Sequence, residues 1–146
     1  MKSQATYDDA ALILRLYDLR REEKLRAARK WFGSMPALIS REELLKVCPP
    51  GSDENAFFRM VTTYWEMAAS FVVCGILNRE LFYRANNMEL LLVWEKVRRA
   101  LPEMRAHNKD ALRYKQIEEV AHGFIEYLNQ NAPGFYEKWS AGFARA

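Results

Sequence analysis

Residues 53–74 read DENAFFRMVTTYWEMAASFVVC, and this stretch decides the fold. Placed on a 3.6-residue period, Phe57, Val61, Tyr64, Ala68 and Phe71 share one side, and Phe58, Trp65, Ala69 and Val72 share a second. Only a narrow strip of Arg59, Thr63, Glu66 and Ser70 is polar. A helix that is apolar over most of its circumference belongs inside a core, so the spacing predicts a central helix over Glu54–Cys74. Asp53 or Ser52 caps its start and Gly75 stops it. The overlapping window Met60–Leu77 has the length of a membrane span, but Glu66, Thr62, Thr63 and Ser70 inside it argue for a core helix and no membrane.

Working outward, the same period recurs with caps at the right places. Thr6 and Asp9 form a capping box for a first helix predicted over Tyr7–Phe32, with Gly33 as its stop. Its apolar stripe breaks into Leu12, Leu16 and Leu19, then Leu25, Ala28 and Phe32, around the charged turn Arg20, Arg21, Glu22, Glu23 and Lys24, which is expected to protrude or meet a partner. Ser40 and Glu43 box a short helix, Arg41–Cys48, ended by Pro49, Pro50 and Gly51. Asn78 caps another through Ala85. A fifth helix, restarted at Asn86 and Asn87, aligns Leu90, Trp94, Val97 and Leu101 and is kinked or ended by Pro102. A sixth, Asp110–Asn129, lines up Tyr114, Ile117, Ala121, Phe124 and Leu128. Pro133 opens the last. No segment alternates like a strand, and the expected fold is all-α: one domain over residues 1–146, an irregular antiparallel helical bundle of four longer helices plus shorter ones.

Composition agrees. The 146 residues are 50% apolar, with six Gly and five Pro, which excludes disordered and collagen-like classes and permits a substantial core. Net charge is +3, too small for a dominating field. Cys48 and Cys74 lack metal spacing and read as buried free thiols of a reducing, cytoplasmic compartment. Residues 1–12 lack the apolar run of a secretory signal.

Between Phe57 and Arg99 the chain carries Tyr64, Trp65 and Glu66 followed by Met67, Ala68 and Ala69. A Gly75, Ile76, Leu77 turn, an acidic helix start at Glu80, and Trp94 in the next long helix complete the pattern. In these it resembles a family of short bacterial all-helical proteins known as a domain of unknown function, in which an Asn often stands where this chain has Thr63. The resemblance implies the helical fold and carries over no activity.

The candidate sites follow from residues out of place. Glu66, with Arg59 beside it on the strip, is the buried polar candidate; a carboxylate on an apolar helix needs a cation, and Arg98, Arg99 or Arg105 is the expected partner. Glu119 and His122 form the Glu-x-x-His unit of carboxylate-bridged metal bundles, but such bundles need two copies, and Glu118 and Glu126 suggest a solvated face. Glu103 and His107 have a metal-compatible spacing without the motif. The basic residues Arg15, Arg20, Arg21, Lys24, Arg26, Arg29 and Lys30 are interrupted by Asp18, Glu22 and Glu23, which disfavours nucleic acid. Phe135, Tyr136, Trp139 and Phe143 either seal the bundle or form an interface.

No phosphate loop or nucleophile elbow occurs, and no catalytic residue or cofactor is assigned. The reading is a non-enzymatic protein-interaction or regulatory module. It engages a protein partner, or itself as a homodimer, through the charged turn and the C-terminal aromatics. The competing readings are a metal protein or enzyme converging Glu66, Glu95, Glu119 and His122, and a nucleic-acid binder using helix one.

Overall fold

The computed structural model describes residues 4–145, which form nine α-helices and no strand among them. The helices are α1 Tyr7–Arg20, α2 Glu23–Ser34, α3 Arg41–Val47, α4 Asp53–Val73 and α5 Arg79–Arg84. They continue with α6 Met88–Val97, α7 Leu101–Asn108, α8 Lys115–Asn131 and α9 Phe135–Ser140, followed by a 3₁₀ turn at Ala141–Phe143. The protein is all-α.

α4 is the axis of the bundle, packing most extensively on α2 and α8. It starts where Ser52 accepts from the Asn55 N–H, and its polypeptide leaves at Gly75, whose φ of +78° a side chain would strain. Trp65, Val61, Ala68 and Ala69 are sealed from solvent, and Tyr64 is buried. Aromatic contacts tie α4 to its neighbours: Phe32 stacks on Phe58 at 6.1 Å, and Trp65 meets Phe82 edge-on at 6.5 Å. Phe82 in turn meets Phe124 at 6.5 Å. Each fully buried ring of this kind contributes about 1.5–3 kcal/mol relative to exposure. Trp31 lies against Phe57 while Leu25 shares a cleft with Met60 and Tyr64, so α2 and α4 run antiparallel.

Two helix starts share one acid. Asp9, sealed from solvent, accepts from the Thr6 N–H at 2.7 Å and from the Asn78 N–H at 2.9 Å, and Asn78 caps α5 by accepting from Leu81.

Several boundaries depart from those predicted. The continuous helix over Tyr7–Phe32 is broken after Arg20: Glu22 turns extended (ψ 141°) and its carboxylate caps α2 by accepting from the Leu25 N–H. The charged turn therefore does not protrude as a whole. Arg20 folds inward over the Trp65 ring, at 5.2 Å from its centroid. The fifth helix ends at Val97, and Leu101 opens α7 with Pro102 at its second position, where a missing N–H costs nothing. α8 begins at Lys115 rather than Asp110, because Tyr114 is left-handed (φ 55°) and residues 111–114 form turns. The last helix opens at Phe135, after Gly134 at φ +88°. Cys48 is buried as expected, but Cys74, at the exposed end of α4, is not.

Candidate functional site

The polar strip of α4 is its solvent-facing edge, and it is flanked by two clefts. One, about 540 Å³, is walled by Arg59, Thr62, Thr63, Glu66, Met67 and Ser70 on one side and by Asp110, Leu112, Arg113 and Tyr114 on the other. The second, about 480 Å³, runs toward the α1–α2 junction between Leu19, Glu22 and Leu25 and the α4 residues Met60, Thr63, Tyr64 and Met67. Thr63 and Met67 line both, so the two clefts adjoin along the strip, and together they are called the α4 groove below. Its apolar edges reach solvent: Leu112 is 72% exposed, and Leu19 and Met67 are each 39% exposed.

Glu66 is half-buried at the floor of this groove, and it does not pair with an arginine as expected. Its carboxylate accepts the Ile117 N–H at 2.9 Å and the Gln116 N–H at 3.3 Å. It thus caps α8 from another helix, where the left-handed Tyr114 supplies no side-chain cap of its own. Burial pushes the carboxyl above the usual Glu value, against the lowering pull of those two N–H groups and of Arg105, while Asp110 adds to the rise. Arg59 is exposed rather than buried and makes no ion pair among the described residues. Arg113 is engaged by Asp110 at 3.5 Å. Tyr114 is buried against Thr62, whose hydroxyl donates to Phe58 O at 2.9 Å.

The other candidates are dispersed. Glu119 is held 3.9 Å from Arg79, His122 sets its ring edge-on against Trp94 at 5.5 Å, and both are exposed. His107 meets the Arg41 guanidinium, and Glu103 accepts the Arg41 N–H. Glu95 is buried, pairs with Arg98 at 2.7 Å and bonds Tyr136, whose phenol is pushed well up by burial. Glu66, Glu95, Glu119 and His122 therefore each engage partners of their own and do not converge. No cluster of three or more potential metal ligands occurs among the described residues.

The interface candidates separate too. Arg20 and Arg29 both turn onto Glu89, Arg29 through both carboxylate oxygens at 2.9 Å, while Arg21, Glu22, Glu23 and Lys24 stay exposed. Tyr136 and Trp139 lean on the core and on each other at 5.7 Å, Trp139 meets Phe143 at 5.0 Å, and Phe135 remains exposed.

One buried group escaped the sequence reading. Lys96, 4% exposed, donates to Phe32 O at 2.8 Å, Gly33 O at 2.9 Å and Met35 O at 2.6 Å, closing the C-terminus of α2. Its own carbonyl accepts from Leu38. The signal lay in the run LLLVWEKV, where two adjacent charges interrupt an otherwise apolar helix.

The model of the family described as a domain of unknown function, DUF4760, matches residues 5–124. The chain belongs to this family. The matched span of DUF4760 contains every residue of the groove, Lys96 with its three carbonyls, and the Asp9 junction, and it stops before α9. No curated protein and no solved structure matches the chain. No helix of the described residues is long and apolar enough to cross a membrane.

Proposed function

We propose that this DUF4760 member is a non-enzymatic interaction module whose α4 groove holds an amphipathic helix of a partner protein. The observation that carries the reading is that the two clefts adjoin at Thr63 and Met67, on the one edge of α4 not consumed by the core. Leu19, Met67 and Leu112 offer exposed apolar side chains to the i, i+4 and i+7 anchors of such a helix. An acidic residue on it fits Arg59, a cation with no ion pair among the described residues. This moves the expected interface away from the aromatic α9, where Tyr136 and Trp139 lean inward, and keeps only Glu22 of the charged turn. The two unpaired cysteines, one exposed, support a reducing cytoplasmic setting.

The test is a photo-crosslinking residue at Met67 or at Leu112 in the native host, with exposed Lys30 as control. The expected result is one partner protein, identified by mass spectrometry, captured from both groove positions and lost on Arg59→Glu. Adducts absent at Met67, or equal at Lys30, refute the reading.

A further inference from the structure

α1 has two faces, and only one is used. Asp9 and Leu16 point into the molecule, while Tyr7, Leu14 and Tyr17 are 95%, 64% and 50% exposed. At about 100° per residue, Tyr7, Ala11, Leu14 and Asp18 fall within roughly 60° of arc, opposite Asp9 and Leu16, with Tyr17 at the edge. None of them lines the groove on α4. Tyr7, the most exposed large apolar residue of this set, stands in the first turn of a helix held by a complete capping box, so its exposure is fixed rather than a frayed end.

The charges beside this face say what covers it. Asp8 and Arg15 sit on the same edge, seven residues apart. That is about 10 Å along the axis, too far to meet within one helix. Both are exposed, and neither makes an ion pair among the described residues. Two α1 helices laid antiparallel, centred between Leu12 and Ile13, keep like edges together. Arg15 of each copy then comes within reach of Asp8 of the other. In the same register Leu14 faces the small Ala11 of its partner, and the Tyr7 hydroxyl faces Asp18. The helix macrodipoles also oppose. Large against small, donor against acceptor and cation against anion are satisfied in one arrangement.

We infer that α1 is a self-association surface: two copies of this chain pair through antiparallel α1 helices, by an isologous contact of Tyr7, Ala11, Leu14 and Asp18 edged by Asp8–Arg15 ion pairs. A contact about 20 Å long is smaller than a standard interface, so the dimer is reversible, with Kd on the order of micromolar. The inference stands apart from the groove reading, since the two use different faces.

Sedimentation velocity of the purified chain across ~1–300 µM tests it, a range that brackets micromolar dissociation. The expected result is a concentration-dependent monomer–dimer equilibrium. Leu14→Asp, at an exposed position, abolishes it while the helical circular dichroism is unchanged. Asp8→Arg and Arg15→Glu each raise Kd about tenfold, and the double exchange recovers most of the loss, as expected for a directly coupled charge pair. A wild-type chain that stays monomeric throughout overturns the inference. So does a dimer that survives Leu14→Asp, or a double exchange that weakens the dimer further.

Discussion

Lys96→Met removes an ammonium while keeping most of the buried stem, and its cost can be worked from the three carbonyls left behind. Phe32 O retains a second donor in the Met35 N–H at 3.2 Å, so it is not stranded. Gly33 O and Met35 O lose the donors at 2.9 and 2.6 Å. A hydrogen bond to a charged donor contributes about 1.5–3 kcal/mol, and a stranded buried carbonyl costs about 1–3 kcal/mol. Two effects work the other way. Burial pulls the ammonium below the ordinary lysine pKa, which shows that holding the charge inside has its own cost. The cleft of about 490 Å³ bordered by Gly33, Met35 and Lys96 also lets water reach the freed oxygens. The net expected loss is about 2 kcal/mol, or roughly 4–8 °C in Tm for a domain of this size. Urea unfolding followed by tryptophan fluorescence reads it as a lower midpoint with unchanged slope. A midpoint equal to or above that of the wild type refutes the reasoning, because the buried charge would then cost as much as its three bonds return.

Further outcomes follow from the same geometry. A Cβ at position 123 of α8 would run into the Tyr83 hydroxyl, and Tyr83 is buried and stacked on Phe124 at 4.7 Å. Gly123→Ala should therefore destabilise by about 1 kcal/mol despite a helix-propensity gain of similar size, and Tyr83→Phe should relieve it; a more stable Gly123→Ala in chemical denaturation rejects this. Glu66, with a carboxyl raised in the fold, binds its proton more readily there than in the unfolded chain. Its contribution is thus fully present below the unfolded value and declines as pH rises from about that value through the raised one. Stability of Glu66→Gln should decline less over that interval, and parallel pH–stability curves would contradict it. Burial, aided by Glu54, pushes the Cys48 thiol up to about 11, whereas Cys74 is exposed. A disulfide reagent at neutral pH should titrate one thiol promptly and the second only on unfolding; two fast thiols would disprove this.

What the sequence disclosed depended on how local the physics was. The capping box at Thr6/Asp9, the caps Ser40, Ser52 and Asn78 and the stop at Gly75 are decided by neighbours, and they appear where predicted; only the return half of the Ser40/Glu43 box fails, because the Glu43 carboxylate takes the Ile39 N–H and Arg145 instead. The break at Glu22 was hidden because a glutamate is an uncommon N-cap and the surrounding charged run has helical propensity. The late start of α8 was hidden because an aromatic residue in the left-handed region leaves no compositional trace. Glu66 stood out as a carboxylate on an apolar helix, but its partner did not. The expected cation was replaced by two backbone N–H groups about fifty residues away, a choice made by packing. The groove could be read only on its α4 side; the opposite wall at Asp110–Tyr114 was read as helix.

Asp9 binds the two helix starts it touches into one unit, so the beginning of the chain and residue 78 stand or fall together. A tag or deletion that disturbs the first turn of α1 should loosen amide protection at Leu81, in a helix it never touches. The first turn of α1 is thereby a fastening for the middle of the chain, and expression vectors that cut into it alter the fold's interior rather than its fringe.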